Sequence, residues 1–88
     1  MLWTIRLSDK AQKQLEHLPK NFRERIDQAI DELELNPFQG DVLPLKSTKW
    51  KGAFRKRVGR FRIIFRLCKE TRTLEIALIE QRSERTYR

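Results

Sequence analysis

The stretch from Ala53 to Leu67, AFRKRVGRFRIIFRL, constrains this chain more than any other. Phe54, Lys56 and Val58 alternate with Arg55 and Arg57; Gly59-Arg60 interrupts; Phe61, Ile63, Phe65 and Leu67 then alternate with Arg62, Ile64 and Arg66. Two period-two runs around a two-residue loop read as a β-hairpin, and glycine at the first loop position suits a type II′ turn, which needs positive φ there. A two-residue loop sets Val58 opposite Phe61, Arg57 opposite Arg62, Lys56 opposite Ile63, Arg55 opposite Ile64 and Phe54 opposite Phe65. One face of the hairpin is then mostly apolar and the other cationic.

Like charges directly across a strand pair repel, so Arg57 opposite Arg62, with Arg55 two residues along, costs stability that a polyanion would relieve. The planar guanidinium fork matches phosphate oxygens two at a time. The alternative is that these arginines are solvated or paired with carboxylates elsewhere in the fold. The charge distribution favours an anion-binding face. Residues 46–72 hold eleven of the 20 Lys and Arg but one acid, Glu70, so the net charge of +8 belongs to one region.

At 88 residues and 39% hydrophobic composition the chain predicts one small domain, 1–88, with a modest core. Its lone Cys68 excludes an internal disulfide, and one cysteine with one histidine supplies no zinc-ligand set, so neither metal nor organic cofactor is expected. Cys68 reads as a plain strand residue. No apolar run approaches the roughly 20 residues of a membrane span, and no signal-peptide pattern opens the chain, which points to a cytoplasmic protein without membrane contact.

In chain order, Trp3, Ile5 and Leu7 alternate with Thr4 and Arg6 as a short strand, whose place at a sheet edge or beside a later strand stays open. Ser8 or Asp9 offers an N-cap, and Ala11, Leu15 and Leu18 form one stripe of a helix that Pro19 ends. Phe22, Ile26, Ala29, Ile30 and Leu33 form a second, longer stripe stopped by Asn36-Pro37. Such a helical hairpin covers one face of a sheet. His17 reads as a catalytic base or, preferably, as an exposed cation near a helix C-terminus. From Phe38 to Lys51 the pattern is an irregular loop anchored by Leu43 and Leu45; Lys46, Lys49 and Lys51 extend the positive field there, and Trp50 either stacks on a base or, by default, packs in the core or its rim.

The last strand spans about Thr73 to Ile79 after the turn Lys69-Glu70-Thr71-Arg72. A symmetric turn pairs Leu67 with Leu74, Arg66 with Glu75, Phe65 with Ile76, Ile63 with Leu78 and Arg62 with Ile79. Arg66 thereby gains an acid, whereas Arg57 and Arg62 gain none. The same register brings Glu80, Gln81 and Arg82 beside the Gly59 turn, followed by a tail carrying the only tyrosine, Tyr87.

This order of elements, the run AFRKRVGRFRIIF and the closing QRSERTY resemble the RelE/ParE superfamily of bacterial toxin–antitoxin toxins over essentially the whole chain. The specific part is Phe54, Arg55, Arg57, Gly59, Phe61, Arg62 and Ile63; the closing Arg and Tyr are a weaker element. The resemblance implies a small α+β domain: an N-terminal strand, a helical hairpin packed on one sheet face, then a three-stranded antiparallel meander. It also implies a RelE-like activity. Such a toxin enters the ribosomal A site and cuts messenger RNA by attack of a ribose 2′-hydroxyl on the adjacent phosphate, leaving a cyclic phosphate.

Carried over by position, Arg55 and Arg57 match the basic residues before the turn and Arg62 the arginine after it, with Arg82 and Tyr87 as the C-terminal pair and Gln81 as an alternative to Arg82. The resemblance thus casts Arg57, Arg62, Arg82 and Tyr87 as catalytic and Arg55, Arg60, Lys46, Lys49 and Lys51 as RNA-binding. Where some members have lysines before the turn this chain has arginines, which are poor proton acceptors, and the C-terminal histidine of other members is absent. A base falls to Glu80 or Glu84, or to Lys49, Lys51 or Lys56 with a lowered pKa. The implied partners are a cognate antitoxin with an acidic or amphipathic helical segment and the ribosome with its bound message. Two readings stand beside this one: a ParE-like toxin of the same fold that poisons DNA gyrase without chemistry of its own, and a non-catalytic RNA-binding domain.

Overall fold

The computed structural model describes residues 2–81. Strand β1 (Thr4–Leu7) leads into helix α1 (Asp9–Glu16), helix α2 (Lys20–Leu35), and strands β2 (Val42–Pro44), β3 (Phe54–Val58), β4 (Phe61–Cys68) and β5 (Thr73–Gln81). The five strands form one sheet in the order β1-β5-β4-β3-β2, with β1 parallel to β5 and the other pairs antiparallel. The first strand therefore takes an edge. The opposite edge is β2, three residues inside the stretch read from sequence as a loop, and its Pro44 suits an edge because it has no N–H to give.

Both helices lie on one face. Ala11, Ile26, Ala29 and Leu33 bury their side chains against Phe61, Ile63 and Phe65 of β4 and Leu74, Ile76 and Ile79 of β5. Phe22 meets Phe61 edge to face, with ring centroids 5.2 Å apart. On the other face a smaller cluster of Ala53, Ile64 and Leu78 is covered by Leu45 and Trp50 from the segment between β2 and β3, so Trp50 serves as core rim there. Among the described residues, no helix is long and apolar enough to cross a membrane.

The β3–β4 hairpin has the register that its alternation predicts, with Arg57 opposite Arg62 and Phe54 opposite Phe65. Gly59 has φ +58°, and Arg60 is not among the residues with positive φ, which identifies a type II′ turn over a type I′ turn. The β4–β5 ladder departs from the simple expectation. Leu67–Leu74, Arg66–Glu75 and Phe65–Ile76 pair as predicted, but Ile64 then faces Leu78, Ile63 faces Ile79 and Arg62 faces Glu80. Ala77 is an extra residue, a β-bulge that reverses the facing of everything after it. Ile79 thereby joins the helix-side core, and Glu80 turns to the open face.

The bulge is held by the first helix. The Ser8 amide donates to the Ile76 carbonyl at 2.9 Å and continues the parallel ladder by one residue. Its hydroxyl donates to the Ala77 carbonyl at 2.7 Å and accepts from the Ala11 amide at 3.0 Å as the N-cap of α1. Gln14, two turns on, accepts the Ile79 amide at 2.8 Å. One hydroxyl thus satisfies a helix terminus and a carbonyl that the ladder leaves over. Ser8→Ala removes both, and it should lower unfolding stability by about 1–3 kcal/mol, read from the urea midpoint at unchanged m-value; a loss below about 0.5 kcal/mol would show that the bulge stands without this bond.

Candidate nucleic-acid interface

The face of the sheet turned away from the helices carries the arginines of the hairpin. Arg55 and Arg57 from β3 and Arg62 and Arg66 from β4 share it, because residues paired across an antiparallel ladder point the same way. Strand alternation sends Lys56 to the opposite face. It is 3% exposed, and its ammonium donates to Glu32 Oε1 of α2 at 2.8 Å and to the Gln39 carbonyl at 3.2 Å. That ion pair, buried at its lysine end and open to solvent at Glu32, makes Lys56 a tie between helix and sheet, on the wrong side to act as a base on the arginine face.

Three of the open-face arginines have company. Arg62 sends Nε (3.2 Å) and Nη2 (2.7 Å) to the same Glu80 oxygen, the two side chains 37% and 35% exposed. This corrects the expectation that Arg62 lacks an acid: the Ala77 bulge substitutes Glu80 for Ile79 as its neighbour. Arg55 reaches Asp41 Oδ1 at 3.3 Å, an acid from the segment before β2. Arg66 lies over the Trp50 ring, its guanidinium carbon 5.0 Å from the centroid.

Arg57 is exposed and, among the described residues, has no acceptor for its guanidinium; only its backbone amide is bound, to the Asp41 carbonyl at 2.9 Å. Arg60, at the turn, lies with its guanidinium carbon 5.6 Å from the Phe22 centroid. Lys46, Lys49 and Lys51 are exposed in the segment that brings Trp50 over the sheet, with the Lys49 ammonium 5.8 Å from the Trp50 centroid.

The structure thus brings Arg55, Arg57, Arg62 and Glu80 to one patch, with the lysines at its border. Arg82, Glu84 and Tyr87 lie outside the described residues; Gln81, the last described residue of β5, stands opposite Phe61 beside the hairpin turn. His17 is the exposed C-cap of α1, its Nδ1 2.7 Å from the Lys13 carbonyl, remote from this patch in the chain and on the helical side. Cys68 sits at the far end of β4, where hydrogen bonding from Thr71 pulls its thiol below the ordinary value. Among the described residues no group of three His, Cys, Asp or Glu could hold a metal ion.

Sequence reasoning missed one cation. Arg25 of α2 comes round to the hairpin turn: its Nη1 lies 3.8 Å from where a Cβ on Gly59 would be. The signal was available, since Arg25 stands one helical turn after Phe22, which packs on the first residue beyond that same turn.

A profile of the ParE toxins of type II toxin–antitoxin systems matches residues 5–86. The chain belongs to this toxin family, within the RelE/ParE superfamily. Solved structures agree in architecture. The toxin chain resembles one in the RelBE2 toxin–antitoxin complex of Mycobacterium tuberculosis at 25% identity, covering 93% of this chain and 100% of that one, with a TM-score of 0.82. The archaeal RelE–RelB complex of Pyrococcus horikoshii gives 26% identity over 96% and 99% of the two chains, TM-score 0.79. The isolated RelE toxin of E. coli shares the fold at 15% identity, over 97% of this chain and 92% of that one, TM-score 0.76. No curated protein sequence matches the chain significantly.

In this toxin the Glu80 carboxylate occupies the fork that Arg62 would offer to an oxyanion. Exposed pairs of this kind contribute about 0–1 kcal/mol, so a phosphate can displace it. Glu80→Gln is expected to tighten binding of a short single-stranded oligonucleotide by about two- to fivefold in fluorescence anisotropy, with a smaller change for Glu70→Gln on the distal turn. Equal effects of the two substitutions would mean that net charge alone, and not release of Arg62, is being measured.

Proposed function

We propose that this toxin is a ribosome-dependent endoribonuclease that cleaves messenger RNA in the A site, neutralised by a cognate antitoxin. The observation that carries the reading is the placement of Arg57 and Arg62 side by side on the helix-free face, with Glu80 on the Arg62 fork. In the reaction a ribose 2′-oxygen bonds to the neighbouring phosphorus as the bond from phosphorus to the 5′-oxygen breaks. A base takes the 2′-hydroxyl proton, the 5′-oxygen leaves with a proton, and a 2′,3′-cyclic phosphate remains. Negative charge grows on the phosphoryl oxygens, where two guanidinium forks act most strongly.

Arg57 and Arg62 stabilise that charge, and Arg55 holds a neighbouring phosphate after exchanging Asp41 for it. Once the phosphate takes Arg62, the Glu80 carboxylate stands beside the reacting ribose and accepts the 2′-hydroxyl proton; an arginine, protonated at any physiological pH, would not. Arg82 and Tyr87 complete the site from the C-terminal tail, Tyr87 by stacking on a base or passing a proton to the leaving oxygen. Lys46, Lys49, Lys51 and Arg60 draw in the RNA backbone. The antitoxin reading rests on the family and on the relatives solved as toxin–antitoxin complexes: a partner bearing an acidic or amphipathic segment covers the cationic face.

A second reading draws on the family profile, which is that of ParE: inhibition of DNA gyrase by binding, with the same arginine face as contact surface. Added to a cell-free translation reaction, the toxin should produce new messenger RNA 5′ ends within codons, mapped by primer extension, on ribosome-bound message and not on naked RNA. Arg62→Ala should reduce these ends by about 10²–10³-fold and abolish growth inhibition while its circular dichroism stays native. Intact message together with loss of gyrase supercoiling would instead establish the second reading.

A further inference from the structure

The cationic surface does not stop at the sheet. Beyond β2 and the Asp41 carbonyl that takes the Arg57 amide, a cavity of about 280 Å³ opens between β3 and α2. Its lining includes Arg25, Gln28 and Glu32 from α2, and Lys56 and Arg57 from β3. The volume lies just below the roughly 300–1,000 Å³ of pockets that hold whole small molecules, so it suits one charged group of a larger ligand.

The charges around it are unequally matched. Glu32 is committed to Lys56, and Asp41, also at the rim, to Arg55. Arg25 and Arg57 are exposed, and neither guanidinium has an acceptor among the described residues. Lys56 adds a buried contribution. An ammonium has three protons to donate; Glu32 and the Gln39 carbonyl take two, leaving the third with no acceptor among the described residues. Gly40, at φ +84°, keeps the space beside that ammonium open, where a Cβ would come within 3.7 Å of Nζ. Two unmatched forks at the mouth and a spare N–H at the floor form a site for a compact oxyanion.

We infer that the cleft between Arg25 and Arg57 is a further phosphate subsite, which binds the RNA backbone phosphate that flanks the scissile one on the side away from Arg55. Resting on the RNA-cleavage reading, it extends that reading from the sheet onto α2. Arg57 is the link: it faces Arg62 across the hairpin and borders the cleft on its other side, so Arg62, Arg57 and Arg25 form a cationic row running off the sheet edge. An extended RNA strand crossing the row meets one cation after another, whereas a strand kept to the sheet would leave Arg25 unused.

The test measures anisotropy of a single-stranded RNA with 2′-O-methyl riboses, which cannot be cut by 2′-hydroxyl attack, across a range of salt concentrations. Arg25→Gln should lower the slope of log affinity against log salt by about 0.7, the loss of one single-strand phosphate contact, and weaken binding at least about threefold at low salt. Arg23→Gln, the same charge change elsewhere on α2, should leave the slope unchanged. Equal effects at the two positions would overturn the subsite in favour of a diffuse field. Weakening by Arg62→Ala but not by Arg25→Gln would overturn it and leave the RNA reading standing; no binding by the unaltered toxin would overturn the subsite, the RNA reading being decided separately by primer extension on ribosome-bound message. Unchanged RNA affinity with weakened capture of the co-expressed antitoxin would assign the cleft to a partner carboxylate instead.

Discussion

The Ser8 hydroxyl, bonded at once to the bulged Ala77 carbonyl and to the first turn of α1, ties three parts of this toxin together. A strand side chain faces one side or the other with a period of two, so one extra residue reverses everything beyond it. Up to Ile76, β5 sends its even-numbered apolar residues to the helices; past Ala77, Ile79 goes to the helices and Leu78 and Glu80 go to the open face. An unbulged β5 would put Ile79, buried in the helix-side core here, against Arg62 on the open face, and would move Glu80 from Arg62 to the place opposite Phe61. The helix that anchors Ala77 thus also fixes the electrostatics of the opposite face.

This dependence explains what could be read in advance. The hairpin was legible to the residue because its two faces differ sharply in polarity and its turn contains a glycine, leaving one register that buries Phe54, Val58, Phe61, Ile63 and Phe65 together. The helices were equally plain, with Pro19 and Asn36-Pro37 bounding two apolar stripes. In β5 the run Ile76-Ala77-Leu78-Ile79 is apolar on both faces, so alternation stops reporting side and a one-residue slip leaves no trace in the pattern. At the bulge itself the ladder is met by a hydrogen bond from a residue sixty-nine positions away. Strand β2 escaped notice for another reason: three residues containing a proline give no periodicity, and their pairing follows from β3 needing a neighbour.

The arginine pattern was legible as composition but only partly as a site. Sequence alternation put Arg55, Arg57 and Arg62 on one face, yet two of their counter-charges come from places that alternation does not reach, a loop acid before β2 and the residue that the bulge turned over. Arg25 lies outside the basic stretch altogether and reaches the turn through helix packing. A charge count along the chain finds the field; the fold decides which members of it are already neutralised.

That distinction bears on how such a face can be carried by a chain that must also fold alone. Four cations on two adjacent strands repel, and an 88-residue domain has little core to offset the cost. Here Asp41 and Glu80 each screen one arginine, Trp50 accepts another, and Glu32 holds Lys56 behind the sheet. The open-face pairs are solvent-screened and individually weak, about 0–1 kcal/mol, so they quiet the repulsion without locking the arginines. A phosphodiester is a weak partner in water too, but on the proposed RNA reading several arriving on one strand would exchange all these contacts together and release their own counterions. The face is matched well enough to fold while leaving its forks exchangeable, and on that reading Arg57, which no acid screens among the described residues, is where the exchange would start.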